Sequence, residues 1–400
     1  MKKKLLLVLL IIISSVMVVG CEIKKPQKPK HKPNEVEPGD FDYSFLRLET
    51  NENNLVYSPL SIKYALNMLR EGAIGETRDE LDKVLKDLEL TKYKSYKKNL
   101  SMANGIFIKE DFKNKIKDEY VSTLSQKYDA EVLYDKFSSA KNINAWIKKK
   151  TLDIIDNVVS DDGVRGSKVL LANALAIDME WLRKFDETGT HGDTFYKSDG
   201  KKMEAAFMNN NTDDKSYKYY KDQDLTILSM PLKKYGDTEL EYVAIMPKDL
   251  KDYILNGDIS KDLKKLHEIG RREELIINIP KYKFDYDLNL VDDLKKLDIK
   301  KVFTEDAELS LISDIPLYVS DAIHKADIEF SEDGVKAAAV TVIYLSEATA
   351  IEEETKFIRL TFDKPFMFVI RDKNTGENWF VGSVYEPILW NDIKEEYEPK

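Results

Sequence analysis

The chain has 400 residues, 42% hydrophobic and 34% charged, with 62 Lys and Arg against 72 Asp and Glu for a formal net charge of −10. An acidic balance with both signs interspersed lacks the dense basic surface that displaces counterions from a polyanion, so no nucleic-acid partner is expected. With 12 Pro and 16 Gly the chain is neither collagenous nor low-complexity, and its one Cys excludes a disulfide scaffold and any metal centre built from cysteines.

In chain order, Lys2, Lys3 and Lys4 precede an apolar stretch from Leu5 to Val19, and Gly20 supplies a small residue before Cys21. This is the pattern of an export signal. The stretch falls short of the roughly 20 apolar residues that span a bilayer. Val18-Val19-Gly20-Cys21 resembles the lipobox of bacterial lipoproteins, which implies removal of residues 1–20, lipidation of Cys21 and a cell-surface location on the outer side of the membrane. An ordinary leader cut nearby is the alternative. Residues 21–40, rich in Pro and Lys and poor in apolar side chains, cannot form a core and read as an extended tether.

From residue 41 no second low-complexity break and no repeat appears, so one domain is expected over 41–387, followed by a charged tail over 388–400. Ser58-Pro59 predicts a capped helix start, and Gly72-Ala73-Ile74-Gly75 a turn into a second helix over residues 75–88. Residues 112–128 and 138–159 also carry apolar side chains at helical spacing. Strand runs then dominate: residues 168–178, 224–232, 239–248 and 275–286, and near the end 358–362, 365–372 and 378–385. Helices first and many strands later point to an α+β protein with mostly antiparallel sheets.

Catalytic patterns are scarce. His31, His191, His267 and His324 lack metal-binding spacing, and there is no nucleophile elbow, Walker loop or dinucleotide fingerprint. Asp372, Asn374 and Gly376 fit a hairpin turn better than a calcium loop. No metal, cofactor or catalytic residue is expected. A hydrolase on an unrelated α+β fold, its triad scattered along the chain, is a competing reading that predicts turnover.

The segment from Val335 to Arg359 has neither Pro nor Gly, although it lies between two strand runs where a polar turn is the norm. At period two, Val335, Ala337, Ala339, Thr341, Ile343 and Leu345 share one face. Periodicity alone leaves two readings open: a strand that enters a sheet, or an edge strand of the native sheet.

Glu332-Asp333-Gly334-Val335-Lys336-Ala337-Ala338-Ala339 resembles the hinge of the serpin family of protease inhibitors. Asn54 to Ser61 with Gly72-Ala73 and Thr77 to Leu81, then Leu171-Ala172-Asn173 with Trp181 and Phe185-Asp186, are similar to serpin motifs in the same order. Ile323-His324-Lys325-Ala326, Phe362 to Phe366 and Asn374-Thr375-Gly376 complete the likeness, which covers residues 41–387. It implies a serpin fold of three β-sheets and about eight or nine helices with an exposed reactive-centre loop. It also implies a suicide inhibitor: a serine protease attacks the loop, forms a covalent acyl-enzyme, and is trapped when the cleaved loop inserts into the main sheet.

By the same resemblance Glu332, Gly334, Val335, Ala337, Ala338 and Ala339 form the hinge, and Gly334 suits a pivot. Val335-Lys336 departs from the family's usual Thr-Glu. Ser58, Ser61, Asn173 and His324 fall where serpins have a hydrogen-bonded cluster called the shutter, and Trp181 falls at the breach, where insertion begins. Counting about seventeen residues from Glu332 puts the reactive bond at Ala348-Thr349, which suits an elastase-like or subtilisin-like protease. The loop is longer than usual, so Leu345 and Ala350 are alternative cut positions. The expected partners are a serine protease and, through Cys21, the membrane; a monomer is expected. A non-inhibitory serpin acting as a binding module is the alternative function.

Overall fold

The computed structural model describes residues 41–85, 90–335 and 355–397. Cys21, Ala337, Ala338, Ala339, Ala348 and Thr349 lie outside them. Ten α-helices and eighteen strands are found among the described residues. The strands of the first half are β1 (Leu55–Tyr57), β2 (Leu100–Lys109), β3 (Glu131–Asp135), β4 (Val169–Ile177), β5 (Met179–Glu180), β6 (His191–Tyr196) and β7 (Lys202–Thr212). Next come β8 (Lys218–Lys221), β9 (Leu225–Pro231), β10 (Leu240–Pro247), β11 (His267–Glu268), β12 (Glu273–Pro280) and β13 (Tyr282–Asn289). The last five are β14 (Ile323–Phe330), β15 (Gly334–Val335), β16 (Lys356–Thr361), β17 (Phe366–Asp372) and β18 (Asn378–Val384).

The helix predicted after Ser58-Pro59 spans Pro59–Arg70; the Ser58 side chain accepts the Ser61 amide at its start, and Pro59 occupies the first turn, where no amide donor is needed. Gly75, at φ +53°, begins the next helix, Gly75–Leu85, so the glycine-flanked segment is the expected helix–helix turn. The two later helices are shorter than their periodicity. One covers Asp118–Tyr128. The other stops at Lys150, because Leu152 and Asp153 adopt left-handed backbone and Thr151 Oγ1 takes over the hydrogen bonding of the turn.

A seven-stranded sheet in the order β1-β18-β17-β10-β9-β8-β11 forms the body of the molecule. Val243, Ile245, Met367, Val369 and Val381 point into one core, while Tyr242, Ala244, Phe366, Phe368 and Ile370 point into another. Burial on both faces explains why β10 and β17 read as continuous apolar runs rather than alternating ones. The residue 372–378 turn is the predicted hairpin: Asp372 Oδ1 accepts the Asn374 and Thr375 amides, and Gly376 has φ +76°. A second sheet runs β16-β12-β7-β6.

Two further pieces, β3-β2-β4 and β13-β14-β15-β5, are hydrogen-bonded separately. Since β5 continues β4 after a single residue, the two pieces are one sheet parted along part of its length, and the three sheets expected from the sequence are recovered. The run over residues 275–286 is two strands in different sheets. After Pro280 the chain turns at Lys281 and leaves β12 for β13.

Candidate functional site: the cleft between β4 and β14

β4 pairs along its whole length with β2, from Ile177 opposite Leu100 to Val169 opposite Ile108. β14 pairs likewise with β13. Between the facing edges of β4 and β14 there is no ladder among the described residues. Instead a cavity of about 520 Å³ separates them, walled by Leu171, Asn173 and Leu175 on one side and Ala326 and Ile328 on the other. Val335 also lines it. Two parted strands present two rows of amide and carbonyl groups that a strand between them would satisfy.

The first rung of such a strand is already present. β15 pairs antiparallel with β14 through Val335 opposite Phe330, and with β5 through Gly334 opposite Glu180 and Val335 opposite Met179. Gly334 does not have positive φ; it is needed for close approach. A β-carbon there would lie 2.7 Å from Glu180 Cα and collide with the Met179 carbonyl. Val335 is buried in the aromatic core around Trp181, Tyr242, Tyr282 and Phe330.

Three hydrogen bonds tie the turn before β15 to the segment that follows β5. Trp181 donates its amide to Asp333 O (2.9 Å) and its indole Nε1 to Ser331 O (2.9 Å), and the Phe185 amide donates to Glu332 O (3.0 Å). The indole is fully buried and packs edge-on against Phe330 and Tyr242. Lys184 pairs with Asp333 at 2.6 Å. The Glu332 carboxylate is buried, with Lys281 Nζ at 2.7 Å and Thr190 Oγ1 donating at 2.6 Å. Burial pushes this carboxyl up, but the hydrogen bonds from Lys281 and Thr190 outweigh it and hold the group below its ordinary range.

Ser58, Ser61, Asn173 and His324 all border the cleft. Three of them are joined: His324 Nε2 accepts the Ser58 amide at 2.9 Å, and Ser58 Oγ accepts the Ser61 amide at 3.0 Å. Asn173 is not part of that chain. Its Nδ2 donates to Asn104 Oδ1 (2.8 Å) within the β4–β2 pair, and its Oδ1 is buried without a partner, so the expected four-residue cluster is a three-residue one beside an Asn–Asn pair. Lys281, Thr190, Lys184 and Asn104 had no sequence signal. Each works through a partner far along the chain.

Burial lowers the pKa of His324 to about 4, which keeps its imidazole neutral and able to accept from Ser58. The unfolded chain, with an ordinary pKa of about 6.5, binds the proton more readily. The contribution of His324 to stability is therefore complete above pH 6.5 and is lost as the pH falls toward 4. Between pH 7 and pH 5 the loss is on the order of 2 kcal/mol. Urea titrations of the parent and of His324→Asn at both pH values should show this extra acid sensitivity in the parent alone; parallel behaviour would refute the assignment.

The family model described as "Serpin (serine protease inhibitor)" matches residues 42–387. The chain is a serpin. It is 27% identical over 363 residues to an uncharacterized serpin-like protein of Methanosarcina mazei, covering 85% of this chain and 83% of that protein. It is 28% identical over 369 residues to Serpin-Z1C of Triticum aestivum, covering 84% and 91% respectively. Among solved structures, the thermophilic serpin tengpin in its native state superposes with a TM-score of 0.72 at 28% identity, covering 89% of this serpin and 93% of tengpin. The native, stressed form of Arabidopsis AtSerpin1 shares the fold, with a TM-score of 0.69 at 24% identity over 87% and 95% of the two chains. Family and fold together support a protease-inhibitor type of function, and serpins generally bind target proteases and are inhibitors rather than enzymes.

Proposed function

We propose that this serpin is a suicide-substrate inhibitor of serine endopeptidases of the elastase or subtilisin type, held at the outer surface of a bacterial membrane by a lipid on Cys21. The observation that carries the reading is the parted sheet: a largely apolar cleft between β4 and β14 whose first rung is filled by Gly334 and Val335, the residues that lead into segment 336–354. The protease serine Oγ attacks the carbonyl carbon of Ala348, the bond to Thr349 breaks, and the new amino terminus at Thr349 departs. An ester then joins Ala348 to the protease. Extension of β15 downward between β4 and β14 carries that ester away from the loop end, and hydrolysis stalls when the protease's oxyanion hole is distorted. The small inward side chains Ala337, Ala339 and Thr341 favour the step, because none would bury a charge. For the anchor, the support is Val18-Val19-Gly20-Cys21 after a short apolar stretch, followed by a Pro- and Lys-rich tether.

The test is incubation of the chain, expressed in a bacterial host and purified in detergent, with elastase, subtilisin, chymotrypsin and trypsin. An adduct that survives denaturing electrophoresis with elastase or subtilisin, its ester mapped to Ala348, is the expected result. Complete cleavage by all four enzymes with no adduct would replace this reading with that of a non-inhibitory serpin. Mass spectrometry of the same preparation should find Cys21 at the amino terminus and lipidated, and an unmodified thiol there would refute the anchor.

A further inference from the structure

The acidic tail folds back onto the site. Beyond Pro387, the Ile388 carbonyl accepts the Ala206 amide and the Ile388 amide donates to Lys281 O, both at 3.0 Å. Trp390 then packs over Gly192, where a β-carbon would come within 2.6 Å of the indole. After the short helix Trp390–Ile393, one 3₁₀ turn at Lys394–Glu396 brings Tyr397 back against Trp390, with ring centroids 5.8 Å apart. There the Tyr397 hydroxyl donates to Glu332 Oε1 at 2.8 Å and accepts from Lys281 Nζ, whose ammonium also lies over the tyrosine ring.

We propose that Tyr397 is a positioning residue for loop insertion: through Glu332, the tail holds Gly334 and Val335 seated between β14 and β5. The carboxylate has three donors, Lys281, Thr190 and Tyr397, and the backbone carbonyls of Glu332 and Asp333 receive the amides of Phe185 and Trp181. A force on the side chain is therefore transmitted directly to the rung from which a new strand grows. Growth from a seated rung adds one residue at a time to an existing ladder, whereas an unseated hinge must first repeat an unfavourable closure. In the proposed inhibitor that closure would compete with hydrolysis of the acyl ester, so a loosened clamp converts inhibitor into substrate. This consequence rests on the inhibitory reading; the clamp itself does not.

Two variants of the full chain separate the possibilities. Tyr397→Phe removes the hydroxyl and keeps the ring on Trp390, while Trp390→Ala unseats the tail. Amide exchange in the segment holding Trp181 and Phe185 should speed up about 10-fold in both, with β17 unaffected. The protease trapping stoichiometry should rise about 2- to 5-fold for Tyr397→Phe at temperatures well below unfolding. Unchanged exchange at Trp181 and Phe185 in both variants would overturn the clamp. Faster exchange with unaltered stoichiometry would overturn the positioning role, since a merely structural contact moves only the first readout. If the parent traps no protease, the inhibitory reading fails by itself, and the exchange data still decide whether the tail grips the hinge.

Discussion

Cutting the serpin within residues 336–354 should raise its unfolding midpoint, by up to roughly 15 °C, although one peptide bond has been lost. The argument starts from the parted sheet. A strand laid between β4 and β14 would make about sixteen backbone hydrogen bonds at a net ~1 kcal/mol each. Ordering about ten residues costs ~1–2 kcal/mol per residue, so those two contributions nearly cancel. Filling the cleft is what remains. At ~24 cal/mol per Å³, the value for an empty buried cavity, a volume of about 520 Å³ sets an upper bound of about 12 kcal/mol. With an unfolding entropy of ~2.1 cal/mol/K per residue over a domain of roughly 350 residues, that bound becomes roughly 15 °C. Calorimetry on intact and nicked protein measures the difference. A midpoint that stays constant or falls would mean that the nicked segment does not enter the sheet, and the trapping mechanism would lose its energy source.

The distinction between what the sequence could and could not disclose follows the range of each interaction. The capped helix at Ser58-Pro59, the turn around Gly75 and the hairpin at Asp372–Gly376 depend on neighbours within a few residues, and each forms as the local chemistry requires. The strands β10 and β17 are legible from the apolar stretches Tyr242–Met246 and Phe366–Ile370, which run without alternation because both of their faces are buried. Periodicity predicts a helix over 138–159, and the helix that forms is the shorter Lys141–Lys150. Periodicity does not register the left-handed turn at Leu152 and Asp153. Likewise residues 275–286 read as one strand, and only the tertiary structure shows that Lys281 turns the chain from one sheet into another.

The same limit applies to the site. The link from Ser58 to Ser61 is local and that from Ser58 to His324 spans 266 positions, yet both follow from residues that the serpin likeness singles out. The likeness includes Asn173 as well, but Asn173 joins Asn104 instead. Glu332 belongs to the hinge motif, whereas its donors Lys281 and Thr190 lie 51 and 142 positions away and carry no motif. Tyr397 was hidden in a segment that composition marks only as charged. A buried carboxylate needs partners, but the sequence does not say which elements will bring them.

Gly334→Val should turn the serpin largely from trap into substrate while leaving the loop cleavable, with the stoichiometry rising at least 10-fold. Gly334 has ordinary extended backbone, so the effect does not come from forbidden dihedrals. It comes from the space between β15 and β5, where any β-carbon meets the Met179 carbonyl and lies 2.7 Å from Glu180 Cα. Backbone on that side cannot yield as a flexible side chain could, since Met179 is fully buried and Trp181, two residues on, is fixed to Asp333 and Ser331. The cheapest relief is therefore loss of the two-residue rung itself, which also withdraws Val335 from its aromatic core. Overpacking of this kind costs ~1–3 kcal/mol, enough to unseat the rung in most molecules but small against the stability of a domain with two large cores. The variant should thus remain folded by circular dichroism, be cut at the wild-type bond, and release active protease. Persistent adduct formation at the parent's stoichiometry would show that insertion does not start from β15.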